Sequence, residues 1–343
     1  MVFDDPRHNR GKIIKDKIRY IYGFLEFTLP YWPKSSHARL IQFDLSTEME
    51  AYGRRLFQTL EPMSLVGAGK TRIGDKGDGG YVVPDIDYRK TKTQDKIAYS
   101  FGVAGNAPWD MQMAKWGWDV FQYDGTIDVP PELHPRLHFY RLNISGLENP
   151  PPDQINVSQI IKKHGHEGKS IILQCDIEGS EWEMLKSMSE ENLLQFEQII
   201  LEIHWFYFDK ELDSKIAILE KLNKTHQCIH LHANNLGPVI FVKKFRMIPW
   251  SLEVTYVRRK DWKFKPCYET FPGRLDYPNT GLYPDIFIGR FHHRLAFLDP
   301  MKARTKQTLL SCAKKLIPWR NVRRRLHYWY SRFLCSGKLA NLI

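Results

Sequence analysis

Cysteine is scarce and unpatterned. The five residues Cys175, Cys228, Cys267, Cys312 and Cys335 include no C-x-x-C pair and are odd in number. That argues against a disulfide framework or a zinc ribbon and for a reducing compartment. Long apolar runs are missing too. The best candidate, IRYIYGFLEFTLPYW, carries Arg19 and Glu26 and meets Pro30, so it is too short and too polar to span a bilayer. The opening MVFDDPRHNR has no secretory pattern, so a cytoplasmic location is expected and the Asn-x-Ser/Thr triplets at Asn143, Asn156 and Asn223 read as chance matches. Acidic residues are absent from 301–343, which hold eleven Lys or Arg; before that, 39 bases balance 39 acids. The net charge of +11 therefore belongs to the C-terminal stretch and says nothing about the substrate of the core. Internal repeats and low-complexity segments are likewise missing.

What is present is ample core material: 43% hydrophobic and 13% aromatic residues over 343 positions, enough for a large folded α/β unit. Residues 12–60 read as helical, broken around TLPYWPKSS, with Ser46 or Thr47 as a cap. From about residue 70, strands alternate with helices: KIAYSF, WDVFQYD, RLHFYRL, KSIILQC, EQIILEI, HQCIHLHA and SLEVTYV. KSIILQC is continuously apolar, as a strand covered on both faces of a parallel sheet must be. The last two strands have no helix between them, which predicts antiparallel pairing. The expectation is a doubly wound, mostly parallel, Rossmann-like seven-stranded sheet with the class I methyltransferase arrangement. Three regions follow: an N-terminal helical extension (1–69), the α/β domain (70–297, closed by an ordered Pro/Gly/Tyr-rich loop) and a basic helical tail (298–343).

Two glycine-rich stretches raise the question of phosphate binding. VGAGKTR lacks the first P-loop glycine, since Ser64 stands there, and no helix follows Thr71. RIGDKGDGGYVVPD fails the EF-hand spacing and reads as two short strands joined by a glycine turn. YSFGVAGNAPWD lies after the first core strand, where open α/β sheets take nucleotides. Gly102 and Gly105 let a ligand approach the backbone, and Pro108 can open the next helix. Asp124, 22 residues beyond Gly102, can accept ribose hydroxyls. NAD and S-adenosylmethionine both suit that pattern; the missing third glycine of G-x-G-x-x-G favours the ligand without a pyrophosphate.

Asp176 and Glu178 fall at the carboxyl end of the central strand, with Glu181 opening the next helix at its favourable N-terminal dipole. Buried carboxylates are costly without a task or a partner. His204 ends the next strand, with Glu202 on the same face. His232 ends another beside Asn234 and Asn235. Asp176, Glu178, His204 and His232 are the catalytic candidates, and proton removal from an acceptor falls to Asp176 or His204. The pairs HGH (164–166) and HH (292–293) read as solvent-facing.

The order of these pieces resembles the FkbM-type methyltransferases, on the evidence of RIGDKGDGGYVV, YSFGVAGNAPWD, FQYDGT, ILQCDIEGSEWEML, IILEIHWF, HLHANN, SLEVTYV and GRLDYPN, over about residues 70–290. The resemblance implies O-methylation of hydroxyls, often on sugars or glycans, with S-adenosyl-L-methionine. It implies cofactor contacts from Gly102, Gly105 and Asp124, with Asn143 near the adenine, and substrate contacts from Asp78, Gly79 and Asn234. Ser100 replaces the acidic residue common at the start of the glycine turn, which shifts the contact with the cofactor's amino-acid end to Asp110. A divalent metal is left open and no metal ligand is assigned.

The tail mixes bases with Leu, Trp, Tyr and Phe. It suits peripheral contact with anionic lipid on the inner face of a membrane, or packing on the core; nucleic acid is the weaker reading. An RNA methyltransferase, an NAD-dependent oxidoreductase and a non-catalytic glycan-binding protein are the competing functions.

Overall fold

The structure, a computed structural model, describes residues 41–44, 47–90, 96–204, 212–242 and 247–291. The basic tail, the start of the N-terminal extension and the pair at 292–293 lie outside the described residues.

The core is a seven-stranded sheet. In chain order its strands are β1 (Ile97–Phe101), β2 (Asp119–Tyr123), β3 (Leu137–Tyr140), β4 (Ile171–Cys175), β5 (Phe196–His204), β6 (His226–Ala233) and β7 (Ser251–Arg258). Across the sheet they run β3-β2-β1-β4-β5-β7-β6. β7 is inserted antiparallel between β5 and β6, while the β3-β2, β2-β1, β1-β4 and β4-β5 pairs are parallel. This is the class I methyltransferase α/β fold.

Both faces are covered, which is why β4 is buried throughout and apolar at every position but Gln174. Ile171, Leu173 and Cys175 enter one core cluster together with Tyr99 and Phe101. Ile172 enters the other, with Ala98, Val120 and Ile200. Alternate side chains of a strand point to opposite faces, so one unbroken hydrophobic run fills two cores. The first face is closed by α1 (Thr47–Thr59), α3 (Val157–His164), α4 (Glu181–Ser187), α5 (Glu190–Gln195) and α6 (Leu212–Thr225). The second lies under α2 (Pro108–Lys115) and the hairpin Lys70–Ile73/Tyr81–Pro84.

Local chemistry sets the ends of these helices. Pro108 opens α2, where its missing N–H costs nothing. Asn156, a poor helix former, is the N-cap of α3 in a capping box with Gln159, and Gly165 stops that helix in the left-handed conformation. The stretch expected as one helix after β4 is two, because Met188 is extended and Ser189 Oγ caps α5 by accepting from Asn192 N–H.

Two other expectations are corrected. Residues 41–44, within the segment read as helical, form a strand parallel to Val239–Val242; a partner two hundred residues away overrides local propensity. His164 and His166 do not face solvent: the His166 ring meets the Tyr99 hydroxyl at 2.8 Å, and His164 packs on Phe121 with its Nε2 2.7 Å from the Tyr123 hydroxyl. The loop beyond β7 is held by polar anchors, with Asn235 Nδ2 donating to the carbonyls of Thr280 and Tyr283.

Candidate functional site

At the carboxyl ends of β1, β2 and β4 lies a cavity of about 510 Å³. Its wall begins with the glycine turn. Gly102 has φ +81°, and a Cβ there would fall 1.7 Å from the Asp176 carbonyl oxygen. Both conformation and space demand glycine. Gly105 is different: a Cβ there would meet nothing within 4 Å.

Asp124 holds this turn. Oδ2 accepts from the backbone N–H groups of Val103 and Ala104, each at 2.9 Å, and Oδ1 from the N–H and hydroxyl of Thr126. Burial opposes its charge, but these donors outweigh it and hold the carboxyl below its ordinary range. A carboxylate offers about four acceptor positions, so Asp124 is occupied by the turn itself. The ribose contact expected of it would require Thr126 to give way.

Deeper in the cavity the second face of the sheet changes character. Gln174 lies opposite Ser100, and Ser100 opposite Gln122. Asp110, buried in the first turn of α2, accepts at Oδ2 from the Ser100 hydroxyl (3.0 Å) and from Gln122 Nε2 (2.6 Å). Burial pushes its carboxyl up to about 6, against those two donors. Gln174 Nε2 donates to the Tyr81 hydroxyl, which brings the hairpin into the wall.

The polar row continues across β5, β7 and β6. Glu202 lies opposite Glu253, and Glu253 opposite His232. His204 sits among carboxylates: Nδ1 is 3.3 Å from Glu181, and Nε2 is 3.4 Å from Glu202 and 3.7 Å from both Asp176 and Glu178. Burial opposes its charge, yet Glu181 and Glu202 raise it to about 11. Burial, then Glu202, lifts Asp176 well above the carboxylate range, with His204 opposing. His232 is held by Glu253 on one side and Asp285 on the other.

The cavity is lined by five carboxylates (Asp78, Asp110, Asp124, Asp176 and Glu178) and, among the described residues, by no Lys, Arg or His. A family profile described as a methyltransferase domain matches residues 47–226, more than half of the 343-residue chain. The chain belongs to this methyltransferase family.

Two curated relatives match a part of the chain. "Probable methyltransferase-like protein 24" of Rattus norvegicus is 25% identical over 173 residues, covering 45% of this chain and 47% of that protein. Its Homo sapiens counterpart is 26% identical over 166 residues, covering 43% and 45%. The chain spans about half the length of these relatives.

Nine of the residues singled out from the sequence line this cavity: Gly102, Gly105, Asp110, Asp124, Asn143, Asp78, Gly79, Asp176 and Glu178. His204, His232 and Asn234 do not. They stand behind the wall, where Asn234 Nδ2 donates to Glu202 at 2.7 Å. His204, set among Glu181, Glu202, Asp176 and Glu178, is not part of the cavity lining where an acceptor's hydroxyl would lie. His232 is raised well above its ordinary range: burial opposes its charge, but Glu253 and Asp285 prevail. Glu181 exceeds its helix-dipole role. Fully buried, it accepts from Gly179 N–H and His204 N–H, each at 2.7 Å. Glu253, Gln174, Gln122 and Tyr81 were missed. Their signal was a buried polar residue at matching parity near one end of several apolar strands.

Proposed function

We propose that the protein is an S-adenosylmethionine-dependent O-methyltransferase of FkbM type acting on a hydroxyl of a sugar or glycan. The observation that carries the reading is the cavity: it lies at the strand ends of a methyltransferase fold, and five carboxylates but no basic side chain line it. Such a lining suits a ligand with a sulfonium and an ammonium. A pyrophosphate would meet carboxylates instead, including Asp110 in the first turn of α2, where a helix N-terminus otherwise attracts anions. That disfavours the nicotinamide cofactor and a polyanionic acceptor such as RNA.

Gly102, Gly105 and the Asp124-braced turn would hold the cofactor's nucleoside, Asn143 would lie at its base, and Asp110 would receive its ammonium. When bound, S-adenosylmethionine supplies a methyl group already activated on sulfur. What remains for the chain is alignment and proton removal. Asp176, at the carboxyl end of β4 in the cavity wall, is placed to take the acceptor's hydroxyl proton in its carboxylate form. Glu178, at φ +53° with its side chain largely exposed, faces the incoming acceptor together with Asp78 and Gly79. His204, fixed by Glu181 and Glu202, balances the charge behind Asp176.

Calorimetric titration with S-adenosylhomocysteine, beside NAD⁺ on the same preparation, tests the reading. Expected is one site for the former and none for the latter. Absence of S-adenosylhomocysteine binding would remove the proposal.

A further inference from the structure

Asp176, Glu202 and His204 converge from the ends of adjacent strands. One ligand-capable atom of each lies within 4.8 Å of the other two. Three features separate this group from an ordinary acidic surface cluster.

The first is its mixed donor set of two carboxylates and an imidazole, with Glu202 and His204 almost wholly buried. The second is an orphaned atom: Asp176 Oδ1 is shielded from solvent and receives no hydrogen bond, although it faces His204 Nε2 across 3.7 Å. A buried carboxylate oxygen left without a donor needs a compensating charge. The third is spacing. The Nε2 atom lies 3.4 Å from Glu202 and 3.7 Å from Asp176. Ligands about 2.1 Å from a common ion are separated by about 3.0–3.4 Å in octahedral or tetrahedral arrangements. The two distances from Nε2 therefore need to close by only a few tenths of an ångström, and the third pair lies within 4.8 Å.

We propose that these three residues hold one divalent cation of the Mn²⁺ class, a set of one nitrogen and two oxygen donors suited to a first-row metal rather than to an all-oxygen Ca²⁺ cage. The remaining partners form its outer layer. Glu181 lies beside His204 Nδ1 and directs Nε2 toward the ion. Asn234 Nδ2 and Ser251 Oγ donate to Glu202 Oε1 at 2.7 and 2.9 Å. Such supports are the usual company of metal-binding imidazoles and carboxylates. Because Asp176 also lines the cavity, the ion lies next to the acceptor end. There it fixes the Asp176 carboxylate and neutralises the charge around it. This role in catalysis rests on the methyltransferase reading; the binding site itself does not.

The test is Mn²⁺ titration of the full chain, dialysed against EDTA, followed by loss of the free-ion electron paramagnetic resonance signal. Melting curves with and without Mn²⁺ run in parallel. The wild type is expected to bind one ion and to melt higher when it is present. Glu202→Gln and Asp176→Asn are expected to weaken binding by about 10–100-fold. Asp176→Asn is nearly isosteric at a partly exposed side chain, so it reports even if Glu202→Gln fails to fold. Failure of the wild type to bind Mn²⁺, Mg²⁺ or Zn²⁺ at submillimolar concentration would overturn the site, as would wild-type affinity in Asp176→Asn. S-adenosylhomocysteine calorimetry on the same samples separates the two proposals. Cofactor binding without metal binding removes the cation alone; metal binding without cofactor binding leaves the site and removes the methyltransferase role.

Discussion

Replacing Gly102 with alanine places a methyl group 1.7 Å from the Asp176 carbonyl oxygen, at a residue whose φ is +81°. The left-handed conformation costs an alanine about 1–2 kcal/mol. The overlap is with backbone, so no side chain can swing away; relieving it moves the turn or the end of β4, at about 1–3 kcal/mol. Together these give about 2–5 kcal/mol, which for a domain of this size lowers the melting temperature by about 5–15 °C. The same shift displaces the Asp124-braced turn from the cavity, so S-adenosylhomocysteine affinity is expected to fall by more than about tenfold. Gly105→Ala is the internal control. Its new methyl group meets nothing within 4 Å, and the change in stability should stay within about 0.5 kcal/mol. Scanning calorimetry and ligand titration of both variants decide the matter. Equal behaviour of the two, in stability and in affinity, would refute the geometric argument for Gly102.

The Asp110 carboxyl, raised to about 6 by burial, gives a pH signature. Its charged form is the one that receives an ammonium, so S-adenosylhomocysteine affinity should decline as pH falls through about 6, approaching tenfold per unit below it. Titrations between pH 8 and pH 5 should show this decline in the wild type and a flat profile in Asp110→Asn; matching profiles would remove Asp110 from the cofactor contact. Glu181→Ala leaves the N–H groups of Gly179 and His204 without their buried acceptor, at about 3–5 kcal/mol. Urea unfolding should show a lower midpoint at an unchanged slope, with Glu181→Gln intermediate. A loss below about 1 kcal/mol for the alanine variant would mean that Glu181 is not the support of His204.

The strand count, the parallel core and the antiparallel pairing of β6 with β7 were legible in the sequence; that β7 also pairs with β5 was not. Each legible feature rests on local information: the length of apolar runs, glycine and proline between them, and the absence of a helix between β6 and β7. The cavity was legible for the same reason. Residues at the carboxyl ends of neighbouring parallel strands are adjacent by topology, so Gly102, Asp124 and Asp176 could be grouped before any coordinate was known. Local patterns failed where a distant partner decided the outcome, as at Ile41–Asp44, which is a strand because Val239–Val242 lies beside it, and at His164 and His166, whose short polar motif is covered by Phe121 and the tyrosines of β1 and β2.

The division within the site follows from the same physics. Sequence alone determined which residue types stand at the strand ends, because that is a matter of order along the chain. Only the tertiary structure decided what each of them does. Gly102 is indispensable and Gly105 permissive because only the former is pressed against another strand's backbone. Asp124 braces a turn because four donors converge on it. His204 is held behind the wall because Glu181, Glu202, Asp176 and Glu178, drawn from two strand ends and the start of a helix, surround it. Charge and hydrogen bonding act through space over a few ångströms, and those distances exist only once the sheet has closed.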